Sequence, residues 1–283
     1  MLFISNIWNA SFIKKKRKLL RKRTLHRSKM CLDYCVRRRR KRPFFILAAR
    51  RTGSNLLLSY LNSVPNISFA AEILNQDMWY GVRGRFISKR SVLRHIAHSI
   101  NNCEYEVCGA KFIEVQLERH DIKPMDLVSL FPEARFIVLY RRSILEQLLS
   151  LKIAELTNAW QWTKDFRVPV GVNIPPADLI SFHERTTSFY HSILEDPALN
   201  GRSIILTYEE LTLEPQKTFN GKIFPFLDLN SSIVTSNLRK QNTKRPQDLL
   251  VNHAALSRMA ENELILPNGG LAKYPKEQAN KIC

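Results

Sequence analysis

The pattern of apolar and polar positions along the chain predicts strands that alternate with helices. Apolar runs occur at Phe44–Ala49, Val107–Ile113, Arg135–Tyr140 and Ser203–Tyr208, and each precedes a longer periodic or polar stretch. This alternation is typical of a parallel β-sheet covered by helices, and strands that are apolar on both faces fit the interior of such a sheet. The sequence therefore predicts an α/β fold with a central parallel sheet flanked by helices.

The stretches between the strands predict three helices and one long loop. One helix begins near Ser54, a second extends through Lys152–Leu156, and a third covers Glu214–Leu227. The segment Thr163–Pro176 has the composition of a long loop that could cover a site. No part of the chain approaches 18 uninterrupted apolar residues, so we expect no transmembrane helix.

Charge changes this picture mainly at the start of the chain. The formal net charge is +19, but residues 1–42 contain 16 Lys and Arg against one acidic residue, whereas the remainder holds 28 basic and 24 acidic residues. Because like charges repel, we predict a basic arm over 1–42, disordered or partly helical, and a folded domain over 43–283. The arm could bind an anionic membrane or nucleic acid, or it could serve as a targeting signal. We expect a cytoplasmic protein whose arm could hold it at a membrane surface.

The cysteine content argues against two classes of small stabilised fold. The chain has five cysteines, an odd number in a sequence long enough to bury a core, so we expect no disulfide framework. Cys31 and Cys35 have no second Cys or His pair near them, so we expect no zinc site.

The turn Arg50–Asn55, of sequence RRTGSN, joins the first predicted strand to its helix. Gly53 lets the backbone approach a ligand closely, Thr52 and Ser54 supply hydroxyls, and Arg51 supplies charge, as in a phosphate-binding loop. The turn lacks the GxxxxGK[ST] pattern of nucleotide triphosphatases. Two interpretations remain open here: a cradle for phosphate or sulfate, and a plain connection capped by Ser54.

A second polar cluster follows the strand Arg135–Tyr140. Arg142 stands just beyond this strand, and Ser150 lies eight residues later on the predicted helix. A guanidinium and a hydroxyl at this spacing could converge on a second phosphate. Alternatively, Arg142 is a surface charge and Ser150 an exposed helix residue.

The two clusters, in this order, resemble the sulfotransferases that use 3'-phosphoadenosine 5'-phosphosulfate (PAPS). In that family a P-K/R-[ST]-G-[ST] turn binds the 5'-phosphosulfate, and an Arg with a Ser eight residues later binds the 3'-phosphate. Arg51–Ser54 matches the turn, and Arg142 with Ser150 matches the pair; Arg50 departs from the pattern, because the family usually has Pro there.

The resemblance covers about Pro43–Leu256 and points to one branch. The segment Ile205–Leu229 looks like the family's Y-E-x-L followed by a helix ending in F-L-x-L. The stretches GAKFIEVQ, NAWQW and LRKQN are similar to the bacterial carbohydrate sulfotransferases, the branch with nodulation-factor, lipopolysaccharide and trehalose enzymes.

This resemblance implies an enzyme that moves the sulfuryl group of PAPS to a hydroxyl of a carbohydrate or glycolipid, without a metal. It implies that Arg51 neutralises the leaving phosphate, with the turn's backbone N–H groups and hydroxyls. It assigns Glu72 as the base, with Glu114 and His120 in reserve. Lys111 could either reach the sulfuryl group or flank a buried strand.

Further contacts and other functions stay open. Arg239 and Lys240 could contact the nucleotide phosphates or form a cationic surface, and Trp160 could stack on adenine or a sugar or belong to the core.

Alternative functions are a Mg-dependent phosphate-loop kinase or nucleotide hydrolase, an inactive scaffold, and a nucleic-acid- or membrane-binding protein acting through the arm. The near-neutral domain argues against nucleic acid.

Overall fold

The computed structural model describes residues 41–70, 72–75, 88–160, 169, 171–238 and 244–260, all within one compact unit, Lys41–Cys283. Within these ranges, five parallel strands form one sheet in the order β2-β3-β1-β4-β5. The strands are β1 Arg42–Ala48, β2 Ile67–Phe69, β3 Val107–Ile113, β4 Arg135–Tyr140 and β5 Ser203–Thr207.

Helices occupy most of the connections between these strands. The helices of the described ranges are α1 Ser54–Leu61, α2 Lys89–Asn101, α3 Glu114–His120, α4 Pro124–Leu130, α5 Ile144–Thr157, α6 Pro176–Leu194, α7 Tyr208–Leu213, α8 Pro215–Thr218, α9 Phe224–Leu227 and α10 His253–Ala260. One π-helical turn, Phe219–Ile223, joins α8 to α9, and short 3-10 helices occupy Pro197–Leu199 and Pro246–Asp248.

The central strand shows why the predicted strands are apolar on both faces. Along β1, Phe44, Ile46 and Ala48 belong to a hydrophobic cluster that includes the buried residues of α1. Phe45 and Leu47 belong to a second cluster on the opposite face, with buried residues of α2 and α6. Because both faces are covered, alternation between apolar and polar residues is absent.

Strand order brings the polar turns to one edge of the sheet. The chain goes from β1 to β2 and β3 on one side, then crosses to β4 and β5 on the other. Connections that diverge in this way leave a crevice beyond the carboxyl ends of the central strands, where ligands bind in open α/β sheets. The residues that follow Ala48, Ile113, Tyr140 and Thr207 therefore share one edge.

The structure confirms the predicted parallel α/β fold and the three predicted helices. β2, with three residues, was too short to give a pattern in the sequence, and α6 was not predicted. The predicted helix Glu214–Leu227 is interrupted by the π-helical turn just before Pro225. Proline lacks an N–H and clashes with the carbonyl four residues earlier, and the wider turn accommodates both effects.

Two predictions fall partly or wholly outside the described residues. The basic arm is represented only by its last residues, and half of the loop Thr163–Pro176 is not described. Among the helices that the structure describes, none combines the length and apolar character required to cross a membrane.

Candidate active site

The turn after β1 has an unusual backbone that requires its glycine. Arg51 and Gly53 both adopt left-handed conformations, with φ of 65° and 82°. A Cβ atom at position 53 would lie 2.4 Å from Cδ2 of Tyr208, the first residue of α7. Two features therefore require glycine at position 53: its positive φ, and the Tyr208 ring that leaves no room for a Cβ atom.

The start of α1 presents backbone donors that no side chain caps. Gly53 occupies the N-cap position and Ser54 is the first helical residue, so the interpretation in which Ser54 caps the helix is wrong. The Thr52 hydroxyl is buried and donates to the carbonyl of Ala49 at 2.8 Å, which leaves the backbone N–H of Thr52 as its contribution to a ligand. Free N–H groups at a helix N-terminus form an anion site.

Neighbouring elements hold the turn in place. Arg50 Nε lies 2.8 Å from Oε1 of Glu114, the first residue of α3, and Gln147 Nε2 on α5 donates to the Arg50 carbonyl at 2.7 Å. The Ala49 N–H donates to the hydroxyl of Tyr190 at 3.1 Å, and this hydroxyl donates to the Leu139 carbonyl at 2.7 Å. The turn is thus bonded to α3, α5 and α6.

The two predicted phosphate anchors meet through Arg51. Its Nε donates to Ser150 Oγ at 3.0 Å, and its Nη1 donates to the Trp160 carbonyl at 2.9 Å. The Arg142 N–H donates to both carboxylate oxygens of Glu209, at 3.2 and 3.3 Å. The loop after β1 is therefore bonded to helix α5, and the end of β4 is bonded to helix α7.

Arg141 is a member of this cluster that the sequence analysis missed. Its guanidinium lies 4.5 Å from the centroid of the Tyr208 ring and forms an ion pair with Glu146. Burial, followed by the nearby charge of Arg141, lowers the pKa of Arg51, and burial raises the pKa of Glu209. The crowding of positive charge favours an anionic ligand.

The predicted catalytic residues Glu72 and Lys111 form an ion pair, although 39 positions separate them. Lys111 Nζ also donates to Asn55 Oδ1, next to the start of α1. Glu72 Oε2 accepts from Asn75 Nδ2 at 3.0 Å and from Gln116 Nε2 at 3.4 Å. Burial lowers the pKa of Lys111, while Glu72 opposes this shift. A carboxylate and an ammonium thus lie beside the anion-binding loop.

Known proteins with related folds were found at low overall similarity, and no protein-family model matches the chain. A sulfotransferase from Alicyclobacillus acidocaldarius gives a TM-score of 0.46 at 13% identity, over 74% of this chain and 87% of that chain. The sulfotransferase domain from the curacin biosynthetic pathway gives 0.44 at 15% identity, over 84% and 95%. A mouse sulfotransferase complexed with PAP gives 0.42 at 11% identity, over 69% and 61%.

The sequence itself is similar to curated nodulation proteins. It is 27% identical to nodulation protein H of Rhizobium meliloti over 222 residues, which cover 75% of this chain and 88% of that protein. Nodulation protein H of Rhizobium tropici is 27% identical over 180 residues, which cover 61% and 70%. The similarity to nodulation protein H agrees with the resemblance, predicted from the ordered motifs, to the branch that contains nodulation-factor enzymes.

The two residues predicted as reserve bases lie in other settings. Glu114 is buried in its ion pair with Arg50, and burial raises its pKa. His120 ends α3, six residues further on and therefore about 9 Å along the helix axis. Burial lowers the pKa of His120. Glu72, by contrast, is in direct contact with Lys111.

Three remaining predictions concern the periphery of the site. Arg239 and Lys240 lie outside the described residues. The side chain of Trp160 is exposed, so it is not a core residue and stays available for stacking. In the described ranges, no group of three or more His, Cys, Asp or Glu could hold a metal ion.

Proposed function

We propose that this protein transfers the sulfuryl group of PAPS to a hydroxyl of a carbohydrate or glycolipid acceptor. The observation that carries the proposal is the contact of Lys111 with both Glu72 and Asn55, beside the uncapped start of α1. It brings a base and a cation to the place where the helix offers donors to an anion. The acceptor class is supported by the resemblance to the bacterial carbohydrate branch.

The donor's two phosphate ends would be held by different parts of the cluster. The N–H groups of the turn and the guanidinium of Arg51 suit the 5'-phosphosulfate, and Arg142 with Ser150 suits the 3'-phosphate. The fit is supported by the nearness of the Arg141 charge to Arg51, with Arg141 itself paired to Glu146. Because Ser150 accepts from Arg51, a bound 3'-phosphate would take over or share this hydrogen bond.

Sulfuryl transfer requires that both reacting oxygens are fixed in line and that charge on the leaving oxygen is stabilised. Glu72 would accept the proton of the acceptor hydroxyl as its oxygen bonds to sulfur. The bond between sulfur and the 5'-phosphate oxygen breaks in the same step, and Arg51 would stabilise the charge left on that oxygen. Lys111 would orient the Glu72 carboxylate through their ion pair and contact the moving group from the β3 side.

Calorimetric titration tests the donor. The protein is titrated without Mg with 3'-phosphoadenosine 5'-phosphate (PAP) and with adenosine 5'-phosphate, as wild type and as Arg142→Ala. We expect tight binding of the bisphosphate only, and its weakening in the variant. Equal weak binding of both nucleotides, or binding that needs Mg, would favour the kinase or hydrolase alternative instead.

A further inference from the structure

The turn Arg50–Asn55, the proposed donor loop, contains a partly buried ion pair at the position where this chain departs from the family pattern. Arg50 stands where the resembling enzymes have proline, and its Nε donates to Glu114 Oε1 at 2.8 Å. The two side chains are 23% and 5% exposed. In the described ranges, the other carboxylate oxygen of Glu114 is buried without a hydrogen-bond partner, and Arg50 supplies the side-chain cation that the carboxylate contacts.

The pair is attached to the most strained part of the loop. Arg50 directly precedes Arg51, whose left-handed backbone costs about 1 kcal/mol or more in a residue other than glycine. Such a conformation persists only when its surroundings fix it. Here the Arg50 side chain is fixed to α3 by Glu114, and its carbonyl is fixed to α5 by Gln147.

A proline would restrain the same position covalently. Its ring holds φ near −65°, which limits the backbone without any side-chain partner. Arg50 is not among the residues with positive φ, so its backbone is on the side of φ that proline requires. An ion pair between loop and helix can therefore replace the restraint that a ring supplies.

We infer that the Arg50–Glu114 pair holds the loop in its donor-binding conformation, which makes Arg50 a positioning residue and not a phosphate ligand. The inference rests on the proposed function, because it concerns the loop that would bind PAPS. Its place in the predicted phosphate-binding turn Arg50–Asn55 made Arg50 a candidate for direct contact with the nucleotide, and the inference gives it a different role. It also gives Glu114 a role other than reserve base.

A charge swap separates positioning from direct contact. PAP affinity is measured by calorimetry, without Mg, for Arg50→Glu, Glu114→Arg and the double variant with both changes. If the pair positions the loop, each single variant weakens binding about tenfold or more, and the double variant recovers most of the loss because the pair is restored in reverse. If Arg50 instead contacts a phosphate, the double variant stays weak, since a carboxylate then faces the anion.

The substitution Arg50→Pro gives a second, independent readout. Arg50→Met is the comparison variant, because methionine has neither the charge of arginine nor the ring of proline. We expect Arg50→Pro to retain PAP affinity within about threefold while Arg50→Met loses about tenfold. Equal loss in both would overturn the inference. Arg135→Met is the matched control, because it removes the 2.6 Å ion pair with Asp228 at the opposite edge of the sheet and should leave PAP affinity unchanged.

The wild-type titration distinguishes the two possible failures. If the wild type does not bind PAP, the proposed function fails. If the wild type binds PAP but the charge swap does not recover affinity, only the positioning role of Arg50 fails. Melting temperatures of all variants, measured alongside, identify any loss of affinity that comes from unfolding.

Discussion

At the residue scale, Gly53 is where the loop tolerates least change. It combines a φ of 82° with a ring carbon 2.4 Å from where a Cβ would be. Gly201 has a similar φ, 66°, with nothing within 4 Å of its Cβ position. The two glycines therefore have similar φ values but differ in whether a neighbouring side chain would contact an added Cβ atom.

This pair of glycines gives a matched prediction. Gly201→Ala should cost about 1 kcal/mol in the free energy of unfolding, from the left-handed backbone alone. Gly53→Ala should cost more, because Tyr208 must also move, and should weaken PAP binding by more than tenfold. Denaturant titration and calorimetry measure the two effects. Equal destabilisation by both changes would show that the Tyr208 contact imposes no constraint.

Glu72 gives the second prediction at this scale. Glu72→Gln keeps the shape of the side chain but removes the proton acceptor, so kcat should fall about 10²- to 10⁴-fold. PAP affinity should change little, because Glu72 is not among the proposed phosphate ligands. Transfer of labelled sulfuryl groups to a carbohydrate acceptor measures kcat, and Glu118→Gln on the exposed face of α3 is the control. A kcat close to that of the wild type would remove Glu72 as the base.

Individual residues also show the reach of sequence reasoning. Glu72 and Lys111 could be proposed because each stands in a recognisable motif, and the structure brings them into contact. Arg141 gave no such signal, since a basic residue beside Arg142 is an ordinary strand end. Its contact with Tyr208 depends on the two carboxyl-terminal turns of β4 and β5 meeting, which no local pattern encodes.

At the element scale, α6 fixes the ends of two strands that carry the site. The hydroxyl of Tyr190 accepts from the Ala49 N–H after β1 and donates to the Leu139 carbonyl in β4. Tyr190 is fully buried, so no water replaces this bridge directly. No strong sequence pattern pointed to α6, although its buried residues belong to the hydrophobic cluster beneath this edge of the sheet.

Removing this bridge gives an element-scale prediction. Tyr190→Phe keeps the ring but takes away the hydrogen-bond partner of a buried N–H, which should cost about 1–3 kcal/mol of unfolding free energy. It should also loosen the start of the donor loop and weaken PAP binding. Urea titration and calorimetry measure both effects, with the exposed Tyr105→Phe as control. A stability within 0.5 kcal/mol of wild type, by the usual size of surface effects, would contradict the prediction.

At the scale of the whole molecule, basic charge is concentrated at one end. Residues 1–42 hold 16 of the 44 Lys and Arg. Lys41 is part of the folded unit, because its Nζ donates to the carbonyls of Cys103 and Tyr105 at 2.5 and 2.9 Å. A truncation that tests the arm should therefore remove residues 1–40 and keep Lys41.

We predict that this truncation abolishes binding to vesicles containing anionic lipid and leaves PAP affinity intact. Each basic residue near an anionic surface contributes about 1 kcal/mol, so the arm has ample charge for binding. Sedimentation with phosphatidylserine-containing vesicles measures the effect, and phosphatidylcholine vesicles are the control. Unchanged vesicle binding after truncation would contradict a membrane role for the arm.

The strand-and-helix alternation, the two anion-binding motifs and the sulfotransferase resemblance could be read from the sequence, because each depends on residues within a few positions of one another. Which of these residues contact one another follows from the tertiary structure. The order β2-β3-β1-β4-β5 places Lys111 beside Glu72, Arg51 against Ser150, and Arg50 against Glu114, across separations of 39, 99 and 64 positions. Such contacts follow from strand pairing and helix packing over the whole sheet, which local periodicity does not specify.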